Sequence, residues 1–230
     1  MKSVLISNRP KWCGKICHEI GKDENGKPIY EKRIEVRKTA PKEVPFKCYI
    51  YATKVTKWFH SGIIVTSDEL LWLSNGKIKM GDGFGLWANG EDYQCVNGKV
   101  IGEFICDKVY LIKNQGNSFV VANEEQGVTN EIARQSCLDY DDMVGYLGNK
   151  AGYGLHITDL KIYDKPKELS EFYVHKKVKG GCENCAYYRT PTLEFCQDCK
   201  SGKSPKKYLT RPPQSWMYVE ELENGQKTAD

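Results

Sequence analysis

The sequence predicts an α+β fold with strands in the majority, and three observations carry that expectation. Residues 46–53 alternate in polarity and residues 100–112 run largely apolar with β-branched side chains, the patterns of half-buried and central strands. Two stretches, one following Asn8 and one over 130–148, repeat their apolar residues at helical spacing. Asn75-Gly76, Asn89-Gly90 and Asn97-Gly98 are tight-turn pairs between short apolar runs, so the middle of the chain reads as hairpins.

Length and composition bound the function. A chain of 230 residues buries a real core and holds one large domain, or one domain and a small module. The net charge of +4 permits a nucleic-acid partner without demanding one. Lys and Arg concentrate in 1–60 and 175–211 while 120–145 is acidic, which fits either a one-sided basic surface or plain scatter. No apolar run approaches the roughly 20 residues that span a bilayer, and the apolar part of Met1–Ile6 is too short for a signal peptide. The expected setting is therefore cytoplasmic, without a membrane partner. The ten cysteines are then reduced thiols or metal ligands.

Taken in order, residues 2–7 alternate weakly as a first strand. Ser7 or Asn8 caps the helix that follows, with Pro10 in its first turn. Trp12, Ile16 and Ile20, joined by Cys13 and Cys17, form its apolar face, and Gly21 ends it. Cys13, Cys17 and His18 read as core and surface residues rather than metal ligands. Asp23–Pro28 is a turn. In the strand 46–53, Phe46, Cys48, Ile50 and Ala52 share one face, while Lys47, Tyr49, Tyr51 and Thr53 share the other. Residues 54–98 read as a hairpin-rich excursion, and Gly81-Asp82-Gly83-Phe84-Gly85 as a turn, since no Gly-Lys-Ser/Thr follows it. Val100–Ile112 is expected as one central strand with a bulge at Gly102. Residues 130–148 are expected as helix, with Ser136 and Asp139 as caps, and Gly154–Pro166 as a late strand carrying His156 and Asp159.

The chemistry gathers in two places. Lys32-Arg33-Ile34-Glu35-Val36-Arg37 places Arg33, Glu35 and Arg37 on one face of a short strand, with Lys32 entering from its leading end. Arg forks onto phosphate or carbonyl oxygens, Lys supplies a movable charge, and Glu fixes both or moves protons. The plainer alternative is the solvated face of an edge strand, whose charge pairs carry little energy. The second place is Cys182-x2-Cys185 followed by Cys196-x2-Cys199. Two such knuckles bring four thiolates to one tetrahedral Zn²⁺, and a Gly/Lys-rich segment with little core needs a metal to hold it. Four cysteines fill the coordination sphere, so the zinc is structural. Lys176, Lys177, Lys179, Lys200, Lys203, Lys206, Lys207 and Arg211 with Tyr187 and Tyr188 give this module a surface for nucleic acid, for a protein partner, or for solubility alone.

Lys32, Glu35 and Arg37 match, position for position, the Lys-x-x-Glu-x-Arg signature of the ASCH domain, which this chain resembles. Ser7-Asn8-Arg9-Pro10-Lys11-Trp12 and the helix after it resemble the start of that domain. Gly154–Pro166 resembles a late strand of its phage- and Firmicute-type members, and Arg211-Pro212-Pro213-Gln214-Ser215-Trp216 the start of their last strand. The resemblance implies a PUA-like small mixed β-barrel with flanking helices, interrupted by a small zinc-ribbon-like insertion. The implied division is 1–174 for the barrel with its excursion at about 54–98, 175–207 for the zinc insertion, 208–222 for the last strand and 223–230 for a tail.

It also implies a cleft for RNA or a nucleotide, lined by Lys32, Glu35 and Arg37, with Arg9, Tyr49, Tyr51, His156, Gln214, Ser215 and Trp216 around it. The two tyrosines are expected to stack a base or to be barrel aromatics. The family also contains an acetylcytidine amidohydrolase branch and a ribonuclease, so hydrolysis through Lys32 with Glu35 is the alternative. In the amidohydrolase branch the signature lysine is catalytic and a threonine stands where this chain has Glu35. Lys32 matches; Glu35 departs. A zinc-stabilised protein-interaction module is the further alternative.

Overall fold

The structure is a computed structural model describing residues 2–54, 58–60, 63–65, 70–80, 94–116, 118–175 and 206–220. Strand β1 (Lys2–Asn8) leads to helix α1 (Pro10–Cys17), the hairpin β2 (Glu19–Lys22) and β3 (Pro28–Tyr30), then β4 (Ile34–Arg37) and β5 (Phe46–Ala52). Short strands follow: β6 (Trp58–His60), β7 (Ile63–Val65), β8 (Leu71–Ser74), β9 (Lys77–Met80) and β10 (Gln94–Cys95). Next come β11 (Val100–Cys106), β12 (Val109–Asn114), β13 (Phe119–Val121), α2 (Gln126–Ser136) and α3 (Tyr140–Leu147). The chain closes with β14 (Gly152–His156), β15 (Thr158–Lys167), β16 (Tyr173–His175), β17 (Lys206–Tyr208) and β18 (Trp216–Val219).

The fold is α+β, as expected. A five-stranded sheet has the order β15-β11-β5-β1-β18, and a four-stranded sheet the order β13-β12-β14-β4. In the first, β1 and β5 run parallel and every other pair is antiparallel. Among the described residues the strands form separate sheets, not a closed barrel, which corrects the barrel expectation. Among these residues, too, no helix is long and apolar enough to cross a membrane.

The period-two alternation sorts the core. Val4, Ile6, Phe46, Cys48, Ile50 and Ala52 face α1 and the β8–β10 excursion, packing with Cys13, Ile16, Leu71 and Leu155. On the opposite face Leu5, Tyr49, Tyr51 and Val100 pack with Tyr163, Phe172, Leu209 and Val219. The four-stranded sheet buries Ile34, Val36, Ile112 and Val121 against Ile132 of α2 and Met143 and Leu147 of α3.

Several sequence expectations are corrected by tertiary contacts. Helix α1 ends at Cys17, not at Gly21: His18 is already extended, and Ile20 lies 53% exposed in β2. Its N-cap is Arg9, with no side-chain cap bond, so neither Ser7 nor Asn8 caps it. Residues 100–112 are two strands, because the chain crosses at Asp107-Lys108 from the five-stranded sheet to the four-stranded one. The late strand also divides, into β14 and β15, with Asp159 in the left-handed region at φ 46°. The helical stretch 130–148 is two helices, broken where Cys137 turns left-handed at φ 55°. Asp139 does cap α3, its Oδ1 accepting from the Asp142 N–H at 2.7 Å, whereas Ser136 is the last residue of α2. The ladders slip in register at Gly102, where a Cβ would sit 2.5 Å from the Lys161 carbonyl oxygen.

Candidate functional site

Strand β4 is buried along its whole length, so its charged residues are not a solvated edge. Among the described residues the buried charged side chains are Lys32, Glu35 and Arg37, at 2%, 6% and 6% exposure. The Glu35 carboxylate bridges the two cations. Oε1 lies 3.1 Å from the Arg37 guanidinium, and Oε2 lies 3.6 Å from Lys32 Nζ, an ion pair too long for a hydrogen bond. Arg37 also donates to the Ser7 carbonyl of β1 at 3.0 Å. Lys32 Nζ donates to the Ser136 carbonyl, where the C-terminal dipole of α2 favours a cation, and lies 5.2 Å from the centroid of the Trp12 ring.

The Arg37 bond to Ser7 and the Trp12 ring beside Lys32 set the cluster between β4, the end of β1 and α1, where Cys13 of α1 and Cys48 of β5 are buried thiols of the adjoining core. Burial pushes both thiols up, as it pushes that of Cys17 to about 12, so these cysteines sit in the core as protonated apolar groups. Burial also lowers the Lys32 pKa. Glu35 works against that shift, and Arg37 reinforces it more weakly. Whether Lys32 is pushed up or down was open in the sequence; desolvation is the leading cause.

Not all of the site's hydrogen-bonding capacity is used within the protein. Among the described residues, Glu35 Oε2 and Arg37 Nε are buried without hydrogen-bond partners, as are both side-chain polar atoms of Asn8 at the end of β1. Leaving a buried donor or acceptor unpaired costs about 1–3 kcal/mol, so a cluster of them at one place calls for an explanation. Asn8 is the residue that sequence reading missed, having assigned it to the helix cap. A polar residue ending an apolar strand before Pro10 was the available signal.

The remaining expected cleft residues are dispersed. Arg33 does not join the cluster: its guanidinium lies 3.5 Å from Glu131 on α2. Tyr49 and Tyr51 are 1% and 2% exposed on the opposite face of β5, Tyr49 edge-on to Phe172, so they do not stand beside the cluster. His156 Nδ1 lies 2.7 Å from Asp107 Oδ1, and the register sets His156 opposite Ile34, whose side chain faces α2 and α3. Arg9 and Gln214 are exposed. Ser215 lies beside β1, its carbonyl accepting from the Ser7 N–H at 2.9 Å. Trp216 pairs with Ile6, packs against the α1-side core and donates from Nε1 to the Thr39 carbonyl at 2.9 Å. Cys182, Cys185, Cys196 and Cys199 lie outside the described residues.

The fold and site together define an α+β protein with a buried Lys–Glu–Arg cluster beside the end of its first strand. No protein-family model and no curated protein matches the chain. Among solved structures it is similar to the ASCH protein of Zymomonas mobilis, at 13% identity and TM-score 0.43, over 96% of this chain and 89% of that one. A tyrosine-to-phenylalanine variant of the same protein gives 12% identity and TM-score 0.44, over 96% of this chain and 92% of that one. Similarity at this distance carries no residue roles across.

Proposed function

We propose that this chain is an ASCH-type, PUA-like protein that binds RNA or a nucleotide through Lys32, Glu35 and Arg37. The observation that carries the reading is the burial of these three charges together with unpaired hydrogen-bonding atoms. A purely structural ion cluster would satisfy them, because burying charges stabilises little unless every valence is met. Among the described residues Arg37 Nε is a donor without an acceptor, and Glu35 Oε2, ion-paired with Lys32 at 3.6 Å, accepts no hydrogen bond. Lys32 fixes the wall through Ser136 and holds the second side of Glu35.

Hydrolysis is the second reading, favoured by the lowered Lys32 pKa. A lysine whose neutral form is stabilised by burial acts as base or nucleophile, with Glu35 relaying the proton.

A structural zinc held by Cys182, Cys185, Cys196 and Cys199 is part of the proposal. Strands β16 and β17 pair antiparallel, with His175 opposite Lys206, so segment 176–205 leaves and rejoins the fold at one point. The base of that stem is anchored by Phe172 and Leu209, which are buried and bonded backbone to backbone at 2.8 Å. A segment whose ends meet in such a stem suits a small self-contained module, and its Gly/Lys-rich sequence offers little apolar material, which a metal would replace as its core.

The test is mass spectrometry of wild type and Lys32→Ala incubated with acetylated cytidine and a pool of short RNAs. Lys32-dependent retention without product supports the binding reading. Lys32-dependent product makes the chain an enzyme and identifies the bond cut. Wild type that neither retains nor converts any of them overturns both.

A further inference from the structure

The carboxamide of Asn8 is 2% exposed, and neither its oxygen nor its nitrogen has a hydrogen-bond partner. Its backbone is fully committed: β1 pairs with β5 through Asn8 and Ala52, and the Asn8 carbonyl accepts from the Thr53 N–H at 2.9 Å. The side chain is therefore held in place by the sheet while performing no local task. It does not cap α1, whose N-cap is Arg9.

Its position points to the site. Alternation along β1 sets Asn8 on the side of Val4 and Ile6, the face covered by α1. The Cys13 thiol of α1 lies 3.8 Å from the Asn8 carbonyl oxygen. The Ser7 carbonyl that accepts from Arg37 belongs to the peptide unit joining Ser7 to Asn8. Asn8 thus lies on the α1 side of the sheet, next in the chain to the carbonyl that accepts from Arg37, and its carboxamide, Arg37 Nε and Glu35 Oε2 are buried without hydrogen-bond partners among the described residues.

We infer that Asn8 is a specificity-determining residue of this site, and that its carboxamide pairs with the edge of a nucleobase, not with a phosphate. This rests on the nucleotide-binding reading above and narrows it. A planar amide offers one acceptor beside one donor, the complement of a base edge that offers a donor beside an acceptor. A phosphodiester group offers acceptors only and would leave the Asn8 oxygen unpaired. It would also meet the Glu35 carboxylate, whereas a base N–H satisfies that oxygen.

The test measures binding of the four common ribonucleosides, and of inorganic phosphate, to the full chain and to Asn8→Leu, Asn8→Asp and Arg37→Ala. Wild type is expected to bind at least one nucleoside, and excess phosphate is expected not to displace it. Asn8→Leu and Asn8→Asp are each expected to weaken that nucleoside roughly tenfold or more, the value of a bidentate base contact. Asn8→Leu is also expected to raise Tm, since it removes a desolvated, unpaired amide. Full nucleoside affinity in both Asn8 variants, or displacement by phosphate, overturns the inference while leaving the site's role intact. A lowered Tm with unchanged affinity overturns it as well, and makes Asn8 a structural residue paired through water. No nucleoside bound by wild type, or binding indifferent to Arg37→Ala, overturns the nucleotide-binding reading itself.

Discussion

The two faces of the five-stranded sheet carry charged sets that are satisfied to different degrees, although Ser3 Oγ and Ser7 Oγ, on the side of Leu5, are likewise buried without hydrogen-bond partners among the described residues. On the face opposite α1, the Tyr163 hydroxyl donates to Glu103 Oε2 at 2.6 Å, and Lys47 Nζ lies 3.8 Å from the other oxygen of the same carboxylate. Burial and Glu103 together hold the Tyr163 phenol protonated far above its usual range. That set is closed by the protein's own groups. On the α1 side, Lys32, Glu35 and Arg37 hold one another in place, yet Glu35 Oε2, Arg37 Nε and the Asn8 carboxamide stay without hydrogen-bond partners. A closed polar set stabilises a fold, whereas an open one costs stability.

The largest effect should come from the open face. Glu35→Ala leaves two buried cations without their carboxylate and is expected to cost about 3–5 kcal/mol in chemical denaturation, together with loss of RNA or nucleotide retention. A drop well below that range would mean the cations relax to water and the site is not dry.

A second test uses pH. Burial lowers the Lys32 pKa below the ordinary lysine value of 10.5. Between the folded-state and unfolded-state pKa values the unfolded chain binds more protons, so stability rises with pH across that window. Lys32→Met should remove this rise, seen as a stability difference between variant and wild type that shrinks as pH climbs towards 10.5. A difference that stays constant with pH would show that Lys32 is not desolvated.

Smaller still is the closed face. Tyr163→Phe removes one hydrogen bond and should cost about 1 kcal/mol, with ligand retention unchanged. A loss of retention would break the contrast between the faces. Smallest for the main fold is Cys182→Ser. It is expected to lower bound zinc by elemental analysis while shifting the stability of the sheets by no more than about 0.5 kcal/mol, since the two ends of segment 176–205 meet at the paired strands β16 and β17.

The comparison also separates what was legible in the residues. The α+β class, the opposite faces of β5, the turn at Asn75-Gly76 and the bulge at Gly102 follow local rules, and the alternation of β5 does sort Cys48 from Tyr49. The same alternation did not say which face would meet the charges, and so Tyr49 and Tyr51 were expected on the wrong side. The split of 100–112 depends on β11 and β12 finding partners in different sheets, and the end of α1 on β2 turning back to pair with β3.

By itself the sequence determined the spacing of Lys32, Glu35 and Arg37, because three residues of one short strand and its approach are tied by covalent geometry. Only the tertiary structure decided that they are buried. It set Lys32 against the Ser136 carbonyl, a residue 104 positions away, and it left the buried Asn8 amide without a hydrogen-bond partner among the described residues. Hydrogen bonding and desolvation depend on what packs over a side chain, and that cover comes from α1, α2 and the neighbouring strands, which no local pattern specifies.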